Sequence, residues 1–149
     1  MSVVREPMPA APTEAVALEA MQQWGEAVGR ALRLGDVLLL SGDLGSGKTT
    51  LSQAICRGLG VTEPVTSPTF TVVHEYVGAV GPVRHLDLYR LRSARELDTL
   101  GWDEHVGGDA VVLVEWPERA AGRLPEGAWH LRLESTPSGS ARRVTLARE

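Results

Sequence analysis

The chain has no asparagine, and one cysteine, one phenylalanine, one isoleucine and one lysine among its 149 residues. Each scarcity excludes something. Cys56 alone can form no internal disulfide, so the fold must rest on a packed core, and a reducing, cytoplasmic setting is expected. No apolar run approaches the roughly 18 residues of a membrane span, and the opening "MSVVREPMPAAPTEA" has no apolar centre of a secretory signal. No membrane association is expected. No cysteine or second histidine stands at a metal-ligand spacing from His74 or His85, which argues against zinc. The net charge of −4 argues against a protein that coats nucleic acid by charge alone. Of the fifteen Lys and Arg residues, only Lys48 is a lysine. The richness in Ala, Gly, Arg and Val indicates GC-rich coding, which replaces lysine by arginine wherever the protein tolerates it. Lys48 then marks a place where arginine fails.

What is present fits one globular domain over 1–149, with a loose arm or edge strand over the proline-rich residues 1–12. Thr13 is placed to cap a helix whose apolar face runs through Val16, Ala17, Ala20, Met21, Trp24, Val28, Ala31 and Leu32, with Gly35 as its stop. "DVLLLSG" is a short continuous apolar run, as expected of a strand buried on both faces. A helix over 48–58 follows, then a proline-bearing loop, "TEPVTSPTF". "TVVHEYV" and "PVRHLDLY" make a hairpin across "GAVG". Ser93 and Glu96 form a capping box for a short helix to about Leu100. "AVVLVEW" is another buried strand, "ERAAGRLPEG" a connector or short helix, and "AWHLRLES" and "ARRVTLAR" a closing strand pair. The order predicts an α/β fold with a mixed sheet, a parallel core and antiparallel hairpins.

Gly42-Asp43-Leu44-Gly45-Ser46-Gly47-Lys48-Thr49 fits G-x-x-x-x-G-K-[ST] at every fixed position, after an apolar strand and before a helix. Such a loop turns its N–H groups inward at phosphate oxygens, and the following helix adds its positive end. Lys48 is expected to reach the β- and γ-phosphates, and Thr49 to place its hydroxyl on Mg²⁺, with Thr50 beside it in the first helical turn. A compact ammonium fits inside a closed backbone loop where the longer, planar guanidinium does not. Such a site also needs a carboxylate at a neighbouring strand end. Glu115, closing "VVLVE", and Asp87, in "RHLDLYR", are the two candidates. Glu115 has a competing reading as an ordinary exposed strand-end acid, and Asp87 as a salt-bridge partner of Arg84 or Arg90. Asp43, inside the loop, reads as a loop-shaping residue or one that supports the ligands from outside, rather than as a base.

"GDLGSGKTT", "SPTFTVVHEY", "HLDLYRL" and "LVEWPER", in this order and spacing, resemble the TsaE (YjeE) family of small bacterial P-loop ATPases. The likeness covers about residues 13–125 and rests on four separate motifs. It implies that the 42–49 loop binds ATP, that Thr49 and Glu115 are the Mg²⁺ partners, and that Thr69 is a switch threonine. It further implies that Asp87 is the acid of an H-x-D-x-Y-R motif needed for turnover, and that Trp116 is the tryptophan following the metal acid. The partner it implies is a TsaB–TsaD complex that makes threonylcarbamoyl-adenosine in tRNA, with tRNA met only through that complex.

Other residues have two readings each. Trp116 serves the nucleotide or caps the core; Tyr89 and Arg90 face a partner or pack on the next helix. His74, His85 and Cys56 are expected to be structural. Arg84, Arg90, Arg92 and Arg95 form a partner-facing patch or a solvated face, and Arg142 and Arg143 are placed to approach the nucleotide from the last hairpin. The alternative function is a small-molecule kinase, although little chain remains for an acceptor site and lid. A guanine reader generally carries Asn/Thr-Lys-x-Asp, which a chain without asparagine or a second lysine lacks.

Overall fold

The apolar run before the phosphate loop becomes the middle strand of a sheet that carries the site on its strand ends. In a computed structural model that describes residues 5–43, 45–66, 73–93, 95–106 and 108–148, the strands are β1 (Val16–Ala17), β2 (Val37–Gly42), β3 (Val73–Val77), β4 (Pro82–Asp87), β5 (Val111–Glu115), β6 (Trp129–Ser135) and β7 (Ala141–Arg148). The helices are α1 (Leu18–Ala31), α2 (Lys48–Gly58), α3 (Arg95–Leu100) and α4 (Trp102–His105), with a 3-10 turn at Pro117–Ala120.

The sheet order is β1-β7-β6-β2-β5-β4-β3. Its core is parallel: β2 pairs with β5 and β6, and β4 with β5. The hairpins β3–β4 and β6–β7, and the short β1 beside β7, add antiparallel edges. This is the mixed α/β architecture that the order of elements predicts. Buried parallel strands explain the unbroken apolar runs in β2 and β5. One face packs Leu38, Leu40, Val83 and Leu113 under Met21, Val28, Leu51 and Ile55 of α1 and α2. The other packs Leu39, Leu86, Val112 and Val114 under Leu97 and Trp102 of α3 and α4.

The N-terminal region departs from the sequence reading. Val16 and Ala17 belong to β1, in register with Arg142 and Ala141, and the helix starts at Leu18. Ala17, extended at φ −66°, ψ 159°, occupies the cap position without a side-chain cap bond, so Thr13 does not cap α1. Pairing with the β7 edge wins over capping. Gly35 lies beyond the end of α1, in a turn where its N–H donates to the Ala110 carbonyl at 2.8 Å. Residues 5–12 have no helix or strand and lie along α1: Arg5 Nε donates to Leu32 O at 2.9 Å, and Trp24 Nε1 to Ala10 O at 2.9 Å.

α1 and α2 approach closely because their contact is built on glycines. A Cβ on Gly29 would run into the Ile55 carbonyl, and one on Gly58 into the Glu26 carbonyl. This contact sets α2, and with it the phosphate loop, against the sheet.

Candidate active site

The strands β2, β4 and β5 all end at the same edge of the sheet, where open α/β folds bind ligands. β2 runs into the phosphate loop. Within it, Ser46 N–H donates to Asp43 O at 3.0 Å, and Gly47 adopts φ +102°, a left-handed geometry that favours glycine and turns the chain into α2. The first N–H groups of α2 have no intrahelical carbonyl to bond. Ser46 is 1% exposed, and its Oγ is buried with no partner among the described residues. Leu44 and Thr69 lie outside the described residues, as does the rest of 67–72.

Lys48 is 6% exposed. Its ammonium donates to the Gly42 carbonyl and lies over the Trp116 ring, 3.6 Å from the centroid. Burial pushes its pKa below the ordinary lysine value; Glu115, Glu118, Asp87 and Asp43, in that order, oppose the shift. Trp116 is held by an unusual backbone. At φ 58° it is the one non-glycine residue with positive φ among those described. Its ring also stacks on Tyr89 at 4.9 Å, and the Arg119 guanidinium lies 5.9 Å from the Tyr89 ring.

The two candidate carboxylates stand side by side. Asp87 ends β4 and Glu115 ends β5, and they are direct cross-strand partners. Asp87 Oδ1 accepts the Tyr89 N–H at 3.0 Å. Glu115 is 3% exposed, and its Oε2 lies 2.5 Å from His85 Nε2, itself 1% exposed. Arg84 binds Asp109 at 3.0 and 3.1 Å and Glu75 at 3.2 Å, and the Asp109 bond leads in raising its pKa. That pairing removes Arg84 from the basic patch that the sequence suggests.

A cleft of about 400 Å³ is lined by Gly45, Gly47, Lys48, Thr49, Thr50, Asp87, Glu115, Asp43, Leu18 and Arg142. The structure therefore gathers the loop and both acids around one space. Trp116 lines a second cleft, of about 200 Å³, with Gly42, Asp43 and Glu118. The metal donors available in the first cleft are the oxygens of Thr49, Asp87 and Glu115. An all-oxygen set suits a hard cation such as Mg²⁺, which takes its other ligands from water and phosphates; Asp43 is a third acid on the same lining. No cluster of three or more His, Cys, Asp or Glu residues able to hold a metal is present among the described residues.

Two residues gain roles that sequence reasoning gave only weakly or withheld. Arg142 Nε donates to Ser46 O at 2.6 Å, so β7 braces the phosphate loop from 96 residues away. Arg143, next to it, is exposed. The sequence reads His85 as structural; the fold sets it against Glu115. The alternation of "HLD" places His85 and Asp87 on one face of β4, a readable signal; the contact with β5 is not local and is not readable.

The model of the family described as "Threonylcarbamoyl adenosine biosynthesis protein TsaE" matches residues 16–144. The chain belongs to the TsaE family. It is 46% identical over 106 residues to the tRNA threonylcarbamoyladenosine biosynthesis protein TsaE of Synechocystis, covering 68% of this chain and 67% of that protein. With TsaE of Treponema pallidum the identity is 40% over 125 residues, covering 84% and 91% of the two chains. The crystal structure of Bacillus subtilis YdiB superposes with a TM-score of 0.75 at 32% identity, covering 90% of this chain and 82% of that one. Membership places the chain in a family of tRNA threonylcarbamoyladenosine biosynthesis. No helix among the described residues is long and apolar enough to cross a membrane.

Proposed function

We propose that the protein binds ATP with Mg²⁺ in the larger cleft, hydrolyses it slowly, and thereby acts as a nucleotide switch for a TsaB–TsaD type complex in the threonylcarbamoyl-adenosine modification of tRNA. The observation that carries the reading is the meeting of the phosphate loop, its buried Lys48 and the paired Asp87 and Glu115 around one cleft. The loop N–H groups and the start of α2 bind phosphate oxygens. Lys48 moves from the Gly42 carbonyl and the Trp116 ring to the β- and γ-phosphates, where its charge counters the charge that develops at transfer. Thr49, Glu115 and Asp87 would hold Mg²⁺, which supplies further neutralisation and orients the triphosphate. Asp87 or Glu115 accepts the proton of the attacking water as its oxygen bonds to the γ-phosphorus and the bond to the ADP oxygen breaks. Trp116 leaves the Lys48 ammonium when phosphate takes its place.

The cytoplasm is the compartment this role requires. The family's place in tRNA threonylcarbamoyladenosine biosynthesis supports a partner within that pathway; in this reading tRNA is met through the complex.

The test pairs two measurements. Binding of a fluorescent ATP analogue and release of phosphate are followed with and without Mg²⁺, and capture of a cognate TsaB–TsaD pair is followed with ATP, ADP and no nucleotide. The expected result is Mg²⁺-dependent binding, slow phosphate release, and nucleotide-dependent capture. Phosphate appearing on a metabolite in place of water would make the protein a kinase. Absence of capture in all three states would remove the switch role.

A further inference from the structure

Five polar or charged side chains are buried among the described residues: Ser46, Lys48, Ser52, His85 and Glu115. Of these, His85 and Glu115 are joined to each other, Nε2 to Oε2 at 2.5 Å. His85 Nδ1 is buried without a partner among the described residues. That asymmetry favours the tautomer with its proton on Nε2. A proton on Nε2 gives the carboxylate its donor and leaves Nδ1 as a bare acceptor. A proton on Nδ1 would instead bury a donor with no acceptor, the costlier omission. The ring is therefore a single-donor anchor aimed at Glu115. His85 stands two residues before Asp87 on the same face of β4, and Asp87 is the cross-strand partner of Glu115. The anchor thus works from behind the pair of acids that line the cleft.

Resting on the reading of the cleft as a magnesium–nucleotide site, we propose that His85 is a positioning residue, whose Nε2–H holds one oxygen of Glu115 and so fixes the carboxylate for the divalent cation. A carboxylate at the end of a strand rotates about its side-chain bonds unless something holds it, and a hydrogen-bonded outer partner both orients a metal ligand and raises its affinity for the ion. Lys48 is held elsewhere, by the Gly42 carbonyl and the Trp116 ring.

The experiment uses the full chain with ADP and Mn²⁺, and reads Mn²⁺ affinity by electron paramagnetic resonance. ADP binding in EDTA is measured separately. His85→Phe keeps the ring volume and removes the donor; His85→Gln places an amide N–H near the position of Nε2; His85→Asn is polar but too short to reach. Mn²⁺ affinity of the ADP complex should fall about 10- to 100-fold in His85→Phe and His85→Asn, and recover in His85→Gln. ADP binding in EDTA should be unchanged in all three. A purely structural role would lower the melting temperature and leave the Mn²⁺ affinity of the folded protein alone, which overturns the proposal. So does a His85→Gln variant as weak as His85→Asn. If His85→Phe fails to fold, the Gln–Asn contrast decides alone. Wild-type protein that binds neither ADP nor Mn²⁺ would remove the nucleotide reading itself, an outcome distinct from wild type binding both and the variants matching it.

Discussion

On the face of the sheet beneath α1 and α2, apolar side chains give way at the strand ends to His85, Glu115 and Asp87, with Lys48 facing them from α2. The opposite face, beneath α3 and α4, has no such transition; Leu39, Leu86, Val112, Val114, Leu97 and Trp102 form an apolar cluster. The two faces share the same strands, and the alternation of side chains sorts them. Leu86 lies between His85 and Asp87 in sequence but on the other side of the sheet. Among the described residues, the fully buried charged side chains, Lys48 and Glu115, lie on the face that carries the phosphate loop, while Arg84, partly buried, pairs with Asp109 and Glu75 on the other. Burying a charge is costly unless it is paired, and each one here has a partner: Lys48 the Gly42 carbonyl, Glu115 the His85 ring. The other face supplies stability at no such cost. Substitutions on the two faces should therefore separate binding from folding.

The largest effect is expected at Lys48. Its ammonium is held between the Gly42 carbonyl and the Trp116 ring, where a longer, planar guanidinium fork needs more room. If the cleft binds ATP as proposed, Lys48→Arg should lose ATP affinity or turnover nearly as fully as Lys48→Ala, on the order of a hundred- to thousandfold, with the fold intact. Fluorescent-analogue titration and calorimetry check this. Near wild-type activity in Lys48→Arg would also end the idea that lysine survives here because arginine fails.

Next comes a substitution on the other face. Leu97→Ala opens a fully buried site on α3 and should cost about 3 kcal/mol in urea unfolding. The folded fraction should bind nucleotide as the wild type does. A weakened affinity would show that the apolar face also tunes the site, and the division between faces would fail.

Gly58→Ala sharpens the comparison because it touches both properties. An added Cβ meets the Glu26 backbone, which cannot step aside, so α2 must move away from α1. A loss of roughly 2 kcal/mol is expected. Affinity should fall with it, since Lys48 begins the same helix. Loss of stability with affinity intact would mean that the loop is held by its other braces, Arg142 among them.

Much of this division is legible in the sequence, but unevenly. The runs "VLLLSG" and "VVLVE" announce buried strands, and the phosphate loop announces its own position between β2 and α2. The β3–β4 and β6–β7 pairings follow from short turns between alternating runs. β1 is not legible: two residues paired to a distant edge leave no periodic signal, and Thr13 offers a false cap. α4, only four residues long, is equally hidden. The site is legible in its local parts, Lys48, Asp87 and Glu115, each at an element end. What joins them is not. The register of β4 on β5, the His85–Glu115 bond and the Arg142 brace depend on which strands neighbour each other, and local patterns do not encode that.

The smallest effect, on function at least, belongs to Cys56, and it probes how well the site's face is sealed. The thiol lies on α2 among the apolar residues behind the cleft, fully buried. Burial above all, with Glu115 adding and Arg57 opposing, pushes its pKa up from 9.0 to about 12. A thiol reacts as the thiolate. In the folded protein Cys56 should therefore resist an aromatic disulfide reagent at about pH 8, and react only as fast as the chain opens. The sign of the pH dependence follows from the same shift. The unfolded thiol ionises first, so its contribution to stability is complete below pH 9.0 and is lost as the pH rises toward about 12. Labelling that outruns unfolding would mean that solvent passes from the cleft into the α1–α2 core. The buried charges would then be wetter than their exposures imply, and Lys48 would have less reason to be depressed in pKa. Labelling that keeps pace with unfolding, in the presence and absence of nucleotide, would show that polarity on this face stops at the strand ends.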